Sequence, residues 1–370
     1  MAFEVVELRV LFVTDNYYPY IGGAETLWKN LCERLVQKGH RVAVVTNNST
    51  GQKQWFQIIN DVSVTYVNSF SRYSFALQSL KEVWEYAKLC DVIVTTTYTA
   101  AFPARIVGFL LNKPVVIVVH EILGSMWGKL QGMNPLQALF HQFMEWCIIQ
   151  LQFDKYVGVS NSTCNQIKKY GHDAATIYNG IDYEHFSPDK PSIRCAYSDF
   201  VYMFYGRPGY SKGLEYLLRA AEDIKDQIPH SKLLLLLGKE PKAQYDKALE
   251  IIKGERLYKY VILHDPVPYK DLPSYIKGVD CVVVPSVTEG FGFTTAEACA
   301  MGVPVVASFT HSIPEVISGN YRLFTPCNHK AITEAVVGVF NGNYFKGQLY
   351  KFTWEDCVNK YDELLRSLVE

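Results

Sequence analysis

The sequence predicts an α/β protein built from two successive doubly wound domains facing each other across a cleft. Short apolar runs suited to buried parallel strands alternate with helical patterns from end to end, the mark of repeated βαβ units. The rhythm breaks once, over residues 183–197, where Pro188 and Pro191 stand among charges and read as a linker. The chain has 370 residues, 49% of them apolar, which is long for one core and ample for two.

In the first half the runs at 9–14, 41–46, 62–67, 91–95, 115–119, 156–159 and 176–178 read as strands with helices between them. The clearest helix covers 24–38, where Leu27, Leu31, Leu35 and Val36 recur at helical spacing and Gly39 stops it. The longest apolar stretch, 135–153, is interrupted by Gln137, His141, Gln142, Glu145, Gln150 and Gln152 and cannot span a bilayer as written. Leu139, Phe143, Trp146, Ile148 and Ile149 give it a broad apolar side, which predicts a helix buried between strands. A helix lying on a membrane surface would carry Lys or Arg along its polar side, and this one has none. After the linker come strands at 200–205, 232–237, 261–263, 281–284, 303–307 and 322–324, again separated by helices, then an amphipathic segment at 354–368. The expected division is residues 1–186 and residues 187–353.

The net charge of −1, with basic and acidic residues mixed throughout, gives no pull toward nucleic acid. Nine cysteines without a CxxC pair or a cysteine–histidine cluster suggest reduced thiols rather than disulfides or a zinc site. The N-terminus carries Glu4 and Glu7 and runs straight into a strand, so no signal peptide is expected and a cytoplasmic location is.

Residues 284–308, VPSVTEGFGFTTAEACAMGVPVVAS, hold the strongest functional signal. Glu289 and Glu297 flank a glycine-rich turn between two short strands. Gly290 and Gly292 let the backbone approach a ligand that a Cβ would hold off. The helix starting near Phe293 aims the free N–H groups of Phe293, Thr294 and Thr295 at the same spot, an anion site suited to a diphosphate. Carboxylates beside phosphate would repel it, so Glu289 and Glu297 suit hydroxyls instead. Sugar, diphosphate and ribose together satisfy both requirements.

This stretch resembles the retaining glycosyltransferases of family four, the glycosyl transferases group 1, which have the GT-B fold of two Rossmann-like domains. Their pattern of Glu, seven residues and Glu, with GFG after the first acid and a GxPVVAS strand, is present at 289–308. The resemblance implies that Glu289, Phe291 and Gly292 meet the donor sugar and Glu297 the nucleotide ribose. Residues 205–214, YGRPGYSKGL, are similar to the family's Gly-Arg, four residues, Lys-Gly. Arg207 and Lys212 would then clamp the diphosphate in place of a metal ion. No Asp-x-Asp motif or metal-ligand cluster is present, so neither metal nor cofactor is expected.

Three further segments match. Gly22 and Gly23, between the first strand and first helix, sit where the chain can lie close to phosphate or sugar. His120, directly after the strand 115–119, stands where family members place a histidine near the reacting centre; a satisfied histidine at a strand end is the plainer alternative. Asn179 and Gly180, in YNGID, suit positive φ and a structural turn, and Ser160 suits a helix cap. Where the family often has a glycine pair, this chain has Thr310-His311, so His311 either alters sugar choice or points outward. By the resemblance, the last helix, residues 354–370, crosses back to the first domain.

The reading is a metal-independent retaining hexosyltransferase, taking a nucleotide diphosphate sugar as donor and a saccharide, glycan or lipid-linked sugar as acceptor. Lipid-linked acceptors leave peripheral contact with the inner face of the membrane open. The alternatives are a nucleotide-sugar 2-epimerase of the same fold and a non-catalytic subunit that binds a partner transferase. Intact Glu289, Arg207 and Lys212 argue against the latter.

Overall fold

Two parallel-dominated sheets organise the chain. They are seen in a computed structural model that describes residues 7–20, 22–129, 133–196 and 198–369. Glu4 in the opening residues, Ile21 in the first-loop motif and Tyr197 in the linker lie outside the described residues. The chain forms two units. One comprises Met1–Trp127, Leu136–Gly180 and Phe352–Glu370; the other comprises Gly128–Pro135 and Ile181–Lys351.

The first sheet contains β1 (Arg9–Thr14), β2 (Arg41–Asn47), β3 (Phe56–Ile59), β4 (Val62–Val67), β5 (Val92–Thr96), β6 (Val115–Val119), β7 (Lys155–Gly158) and β8 (Ala174–Thr176). Their order is β3-β4-β2-β1-β5-β6-β7-β8, parallel except for β3 against β4. The sequence reading passed over β3. Asn60 and Asp61 take φ of 47° and 63°, the paired left-handed turn that closes a tight hairpin between β3 and β4. It also placed the last strand at 176–178, two residues beyond β8.

Alternate residues of β1 point to opposite sides of the sheet. Leu11 and Val13 join one buried cluster with Phe75, Val83, Val107, Ile148 and Ile149 from the helices Arg72–Gln78, Leu80–Ala87, Ala101–Leu110 and Pro135–Gln150. Phe12 points the other way and meets Trp28 of the helix Gly23–Gln37 edge-on, with ring centroids 5.8 Å apart. Each such fully buried side chain contributes about 1.5–3 kcal/mol relative to exposure.

The helix Pro135–Gln150 turns a different side inward from the one expected. Ala138, Glu145, Ile148 and Ile149 are buried, whereas Leu139, Phe143 and Trp146 are exposed. Both sides of this helix are apolar, so periodicity could not choose between them. The choice follows from Glu145. Its carboxylate accepts hydrogen bonds from the backbone N–H groups of Leu123 (2.9 Å) and Gly124 (2.6 Å), which satisfy it inside and hold the loop that follows β6.

The last helix, Trp354–Arg366, belongs to the first unit, where Trp354 lies under the Arg34 guanidinium. His40 Nδ1 accepts from the Leu8 N–H at 3.1 Å, so its Nε2 carries the proton that faces Asp362 Oδ1 at 3.0 Å. Gly180 does not take positive φ. A Cβ there would lie 2.5 Å from the backbone of Trp354, so this glycine serves close approach instead.

In the second unit the strands are β9 (Phe200–Gly206), β10 (Ser231–Leu237), β11 (Val261–His264), β12 (Cys281–Val284), β13 (Val305–Ser308), β14 (Asn320–Phe324) and β15 (Phe345–Lys346). The order is β11-β10-β9-β12-β13-β14-β15, parallel except for β15. Leu217, Leu218, Ile224 and Val336 from flanking helices pack on Leu233 and Leu235 of β10.

Two stability outcomes are expected. Gly180→Ala should cost about 1–3 kcal/mol in denaturant unfolding, because the Trp354 backbone has no free volume to yield. Burial lowers the pKa of His40, so protonation disfavours the folded state. Stability should therefore be full above the ordinary histidine range and fall as pH drops through it, and His40→Gln should flatten that slope in pH-dependent melting.

Candidate active site

In each sheet the strand order reverses beside the first strand of its unit: between β1 and β5, and between β9 and β12. Open α/β sheets bind ligands outside the carboxyl ends of strands at such switch points. The loops after β9 and β12 carry Arg207, Lys212, Glu289 and the glycine turn.

Those two loops are joined through the backbone. The Ser211 carbonyl accepts the N–H of Val287 at 2.7 Å, and a Cβ on Gly213, at φ 67°, would lie 1.9 Å from the Pro285 carbonyl oxygen. Only glycine fits there. This contact sets Lys212 beside Glu289, with Nζ 2.5 Å from Oε1. Ser286 Oγ donates to the same carboxylate oxygen at 2.9 Å. Ser312 Oγ lies 3.0 Å and 2.9 Å from the carbonyl oxygens of Glu289 and Phe291 and braces the turn from behind.

Gly292, at φ 95°, opens the helix Phe293–Ala300, and no side chain caps that end. The amides of Phe293, Thr294 and Thr295 thus begin a helix whose positive pole lies at the switch point. The buried Phe291 ring meets Phe293 edge-on at 5.1 Å. The Thr295 hydroxyl is buried and has no hydrogen-bond partner among the described residues.

One turn into the helix, Glu297 Oε2 lies 3.1 Å from the hydroxyl of Tyr205, which is also 3.1 Å from the Thr294 carbonyl oxygen. Burial pushes the Glu297 carboxyl up to about 7, against the pull of the Tyr205 hydrogen bond. The Arg207 side chain is exposed, just past the last residue of β9.

In the first unit Gly22 has an extended backbone (φ −173°) that any residue can adopt, and Gly23 begins the first helix. Thr26 Oγ1 donates to the Gly22 carbonyl at 2.8 Å. His120 follows β6, edge-on to Trp28 at 5.4 Å. Its Nε2 is buried without a hydrogen-bond partner among the described residues, and burial lowers its pKa to about 4. Ser160 caps its helix, accepting from the Thr163 N–H at 3.1 Å.

The structure therefore gathers Lys212, Glu289, Gly290, Gly292, the start of the helix Phe293–Ala300 and Glu297 at one sheet edge. Gly22, Gly23 and His120 lie at the corresponding edge of the other unit. Sequence reasoning passed over Tyr205, Ser286, Ser312 and Asp15. Asp15 follows β1 and accepts from the Thr99 hydroxyl and from the Ala100 N–H at 3.2 Å. Position after a switch-point strand could have flagged Asp15; no local pattern marks the two serines. His311 takes φ 45°, a region that favours glycine, with Nδ1 2.8 Å from Thr310 Oγ1.

Carbon-detected NMR titration should show the Glu297 carboxyl with a midpoint near 7. Tyr205→Phe should raise that midpoint further, since the hydroxyl stabilises the charged form. A midpoint in the ordinary glutamate range would contradict the burial described here.

Known proteins fit this architecture. Residues 199–341 match the family model described as glycosyl transferases group 1, and residues 21–185 match glycosyltransferase family 4. An uncharacterized glycosyltransferase of Methanocaldococcus jannaschii is 27% identical, covering 96% of this chain and 94% of the relative. Sucrose-phosphate synthase from Thermosynechococcus elongatus superposes with a TM-score of 0.76 at 18% identity, covering 98% of this chain and 99% of that one. The Anabaena protein HepE, solved with UDP and glucose, gives 0.72 at 18% identity, covering 98% and 100%. With both halves matched by family models, and with the fold shared with these neighbours over nearly the whole chain, the chain belongs to the family 4, group 1 glycosyltransferases and has the GT-B fold.

Proposed function

We propose that this glycosyltransferase moves a hexose from a nucleoside diphosphate sugar to a hydroxyl of a saccharide, glycan or lipid-linked sugar, with retention and without a metal ion. The observation that supports this most is the Lys212–Glu289 pair beside the uncapped, glycine-started helix. A cation and a row of amides face the place where a departing diphosphate gains negative charge.

When the donor enters, Lys212 passes from Glu289 to the diphosphate, and Glu289 is released to accept hydrogen bonds from the sugar hydroxyls. Arg207 adds a second cation with a planar fork suited to phosphate oxygens. Phe291 and Gly292 line the sugar's approach. Glu297, steadied by Tyr205, accepts from the ribose hydroxyls. A neutral His120 carries no charge that would oppose a cation-like transition state. The bond from the anomeric carbon to the diphosphate breaks as the acceptor oxygen adds on the same face. The leaving oxygen takes up the acceptor proton.

HepE was solved with UDP and glucose, so a uridine diphosphate hexose is the first donor to test. No helix among the described residues is long and apolar enough to cross a membrane. A cytoplasmic location, with acceptors reached at a membrane surface, belongs to the same proposal.

A release assay across a panel of nucleotide sugars tests this reading. Arg207→Ala and Lys212→Ala should each lower kcat by about 10²-fold, the usual cost of removing a group that stabilises developing charge. Glu297→Ala should chiefly raise the donor KM, and EDTA should leave the rate unchanged. Transfer at the parent rate by all three variants would reject the assignment.

A further inference from the structure

We infer that β3 is a dimerisation strand: two copies of the chain pair there edge to edge, antiparallel, about a two-fold axis at Gln57. The inference is independent of the proposed donor and reaction.

β3 is the outermost strand of the first sheet and is bonded on one side, to β4. Beside the last printed pair, the Tyr66 N–H donates to the Trp55 carbonyl at 2.7 Å. Antiparallel bonds fall on every second residue, so Trp55, Gln57 and Ile59 turn their main-chain groups toward β4. Those of Phe56 and Ile58 point away from the sheet, where another strand can pair with them. Soluble proteins blunt such edges with charge, proline or brevity. At the opposite edge β8 spans three residues. The run 55–59, WFQII, has neither charge nor proline, and it leaves Trp55 68% and Ile58 66% accessible.

The sequence selects the occupant. Turned antiparallel against itself about Gln57, the segment 53–61, KQWFQIIND, is self-complementary. Trp55 meets Ile59 of the second copy, Phe56 meets Ile58, and Gln57 meets its own equivalent. Aromatic thus faces β-branched and amide faces amide, both favourable cross-strand pairs. Phe56 and Ile58 are also the residues whose main chains face outward, so they exchange hydrogen bonds between the copies. Lys53, in the bend before the strand, then faces Asp61 in the turn after it. Both are exposed, and neither forms an ion pair among the described residues. An axis at Phe56 would set Trp55 against Gln57, and an axis at Ile58 would set Gln57 against Ile59, so the matches belong to one register. The turn is already held, because Asn60 Nδ2 donates to Glu33 Oε1 of the first helix at 2.7 Å. A two-fold pairing uses the same strand in both copies and closes, which gives a dimer and not a fibre.

Sedimentation of the full chain across a dilution series tests the inference. The parent should dimerise. Ile58→Lys should raise the dimer dissociation constant by about tenfold or more at the parent melting temperature, because this side chain is exposed and the bonds to β4 are kept. Lys53→Glu should raise it about fivefold by setting like charges opposite each other, and Asp61→Asn in the same chain should recover most of that loss. Asparagine also suits the left-handed φ of 63° at position 61. Gln57→Cys should cross-link between copies under mild oxidation faster than the parent, since residues facing across the axis lie about 4.5 Å apart at Cα, within disulfide reach. A parent that stays monomeric at the highest concentration would overturn the inference. So would a dimer that Ile58→Lys and Lys53→Glu leave intact, or one that Gln57→Cys does not cross-link, since either would assign the contact to another surface.

Discussion

One backbone contact holds the candidate site of the second unit together: the Ser211 carbonyl accepting the Val287 N–H. It ties the loop after β9 to the loop after β12, the two strands that flank the reversal in strand order. With Gly213 pressed against the Pro285 carbonyl, the loops cannot slide past each other, and Lys212 is delivered to Glu289. A long, flexible lysine is thereby held in one place by main-chain geometry. Such preorganisation is what lets a charge stabilise a leaving group without first being ordered.

Two ionisable groups are shifted in opposite directions by the same cause. Burial raises the carboxyl of Glu297 and lowers the imidazole of His120, favouring the neutral form of each. Each is near the carboxyl end of a strand or the helix that follows it. In the second unit Lys212 is paired with Glu289.

Much of this was legible in the sequence. The strand–helix alternation gave the α/β class, and the spacing of Glu289, Gly292 and Glu297 gave the glycine-started helix. What escaped has physical reasons. Tyr205 lies inside an apolar strand, where its hydroxyl looks incidental until the Glu297 helix packs over it. Ser286 and Ser312 work through contacts made by folding, which no local pattern records. The helix Pro135–Gln150 misled because apolar residues occur all round it and a glutamate is not expected inside. Gly180 was read as a turn former, whereas its role depends on Trp354, far along the chain.

The most direct measurement is a crystal structure with a nucleoside diphosphate bound. The diphosphate should sit against the amides of Phe293–Thr295, with a phosphate oxygen about 2.7–3.2 Å from Lys212 Nζ and the Lys212–Glu289 contact broken. A diphosphate bound elsewhere, with Lys212 still paired to Glu289, would contradict the assignment of this sheet edge to the leaving group.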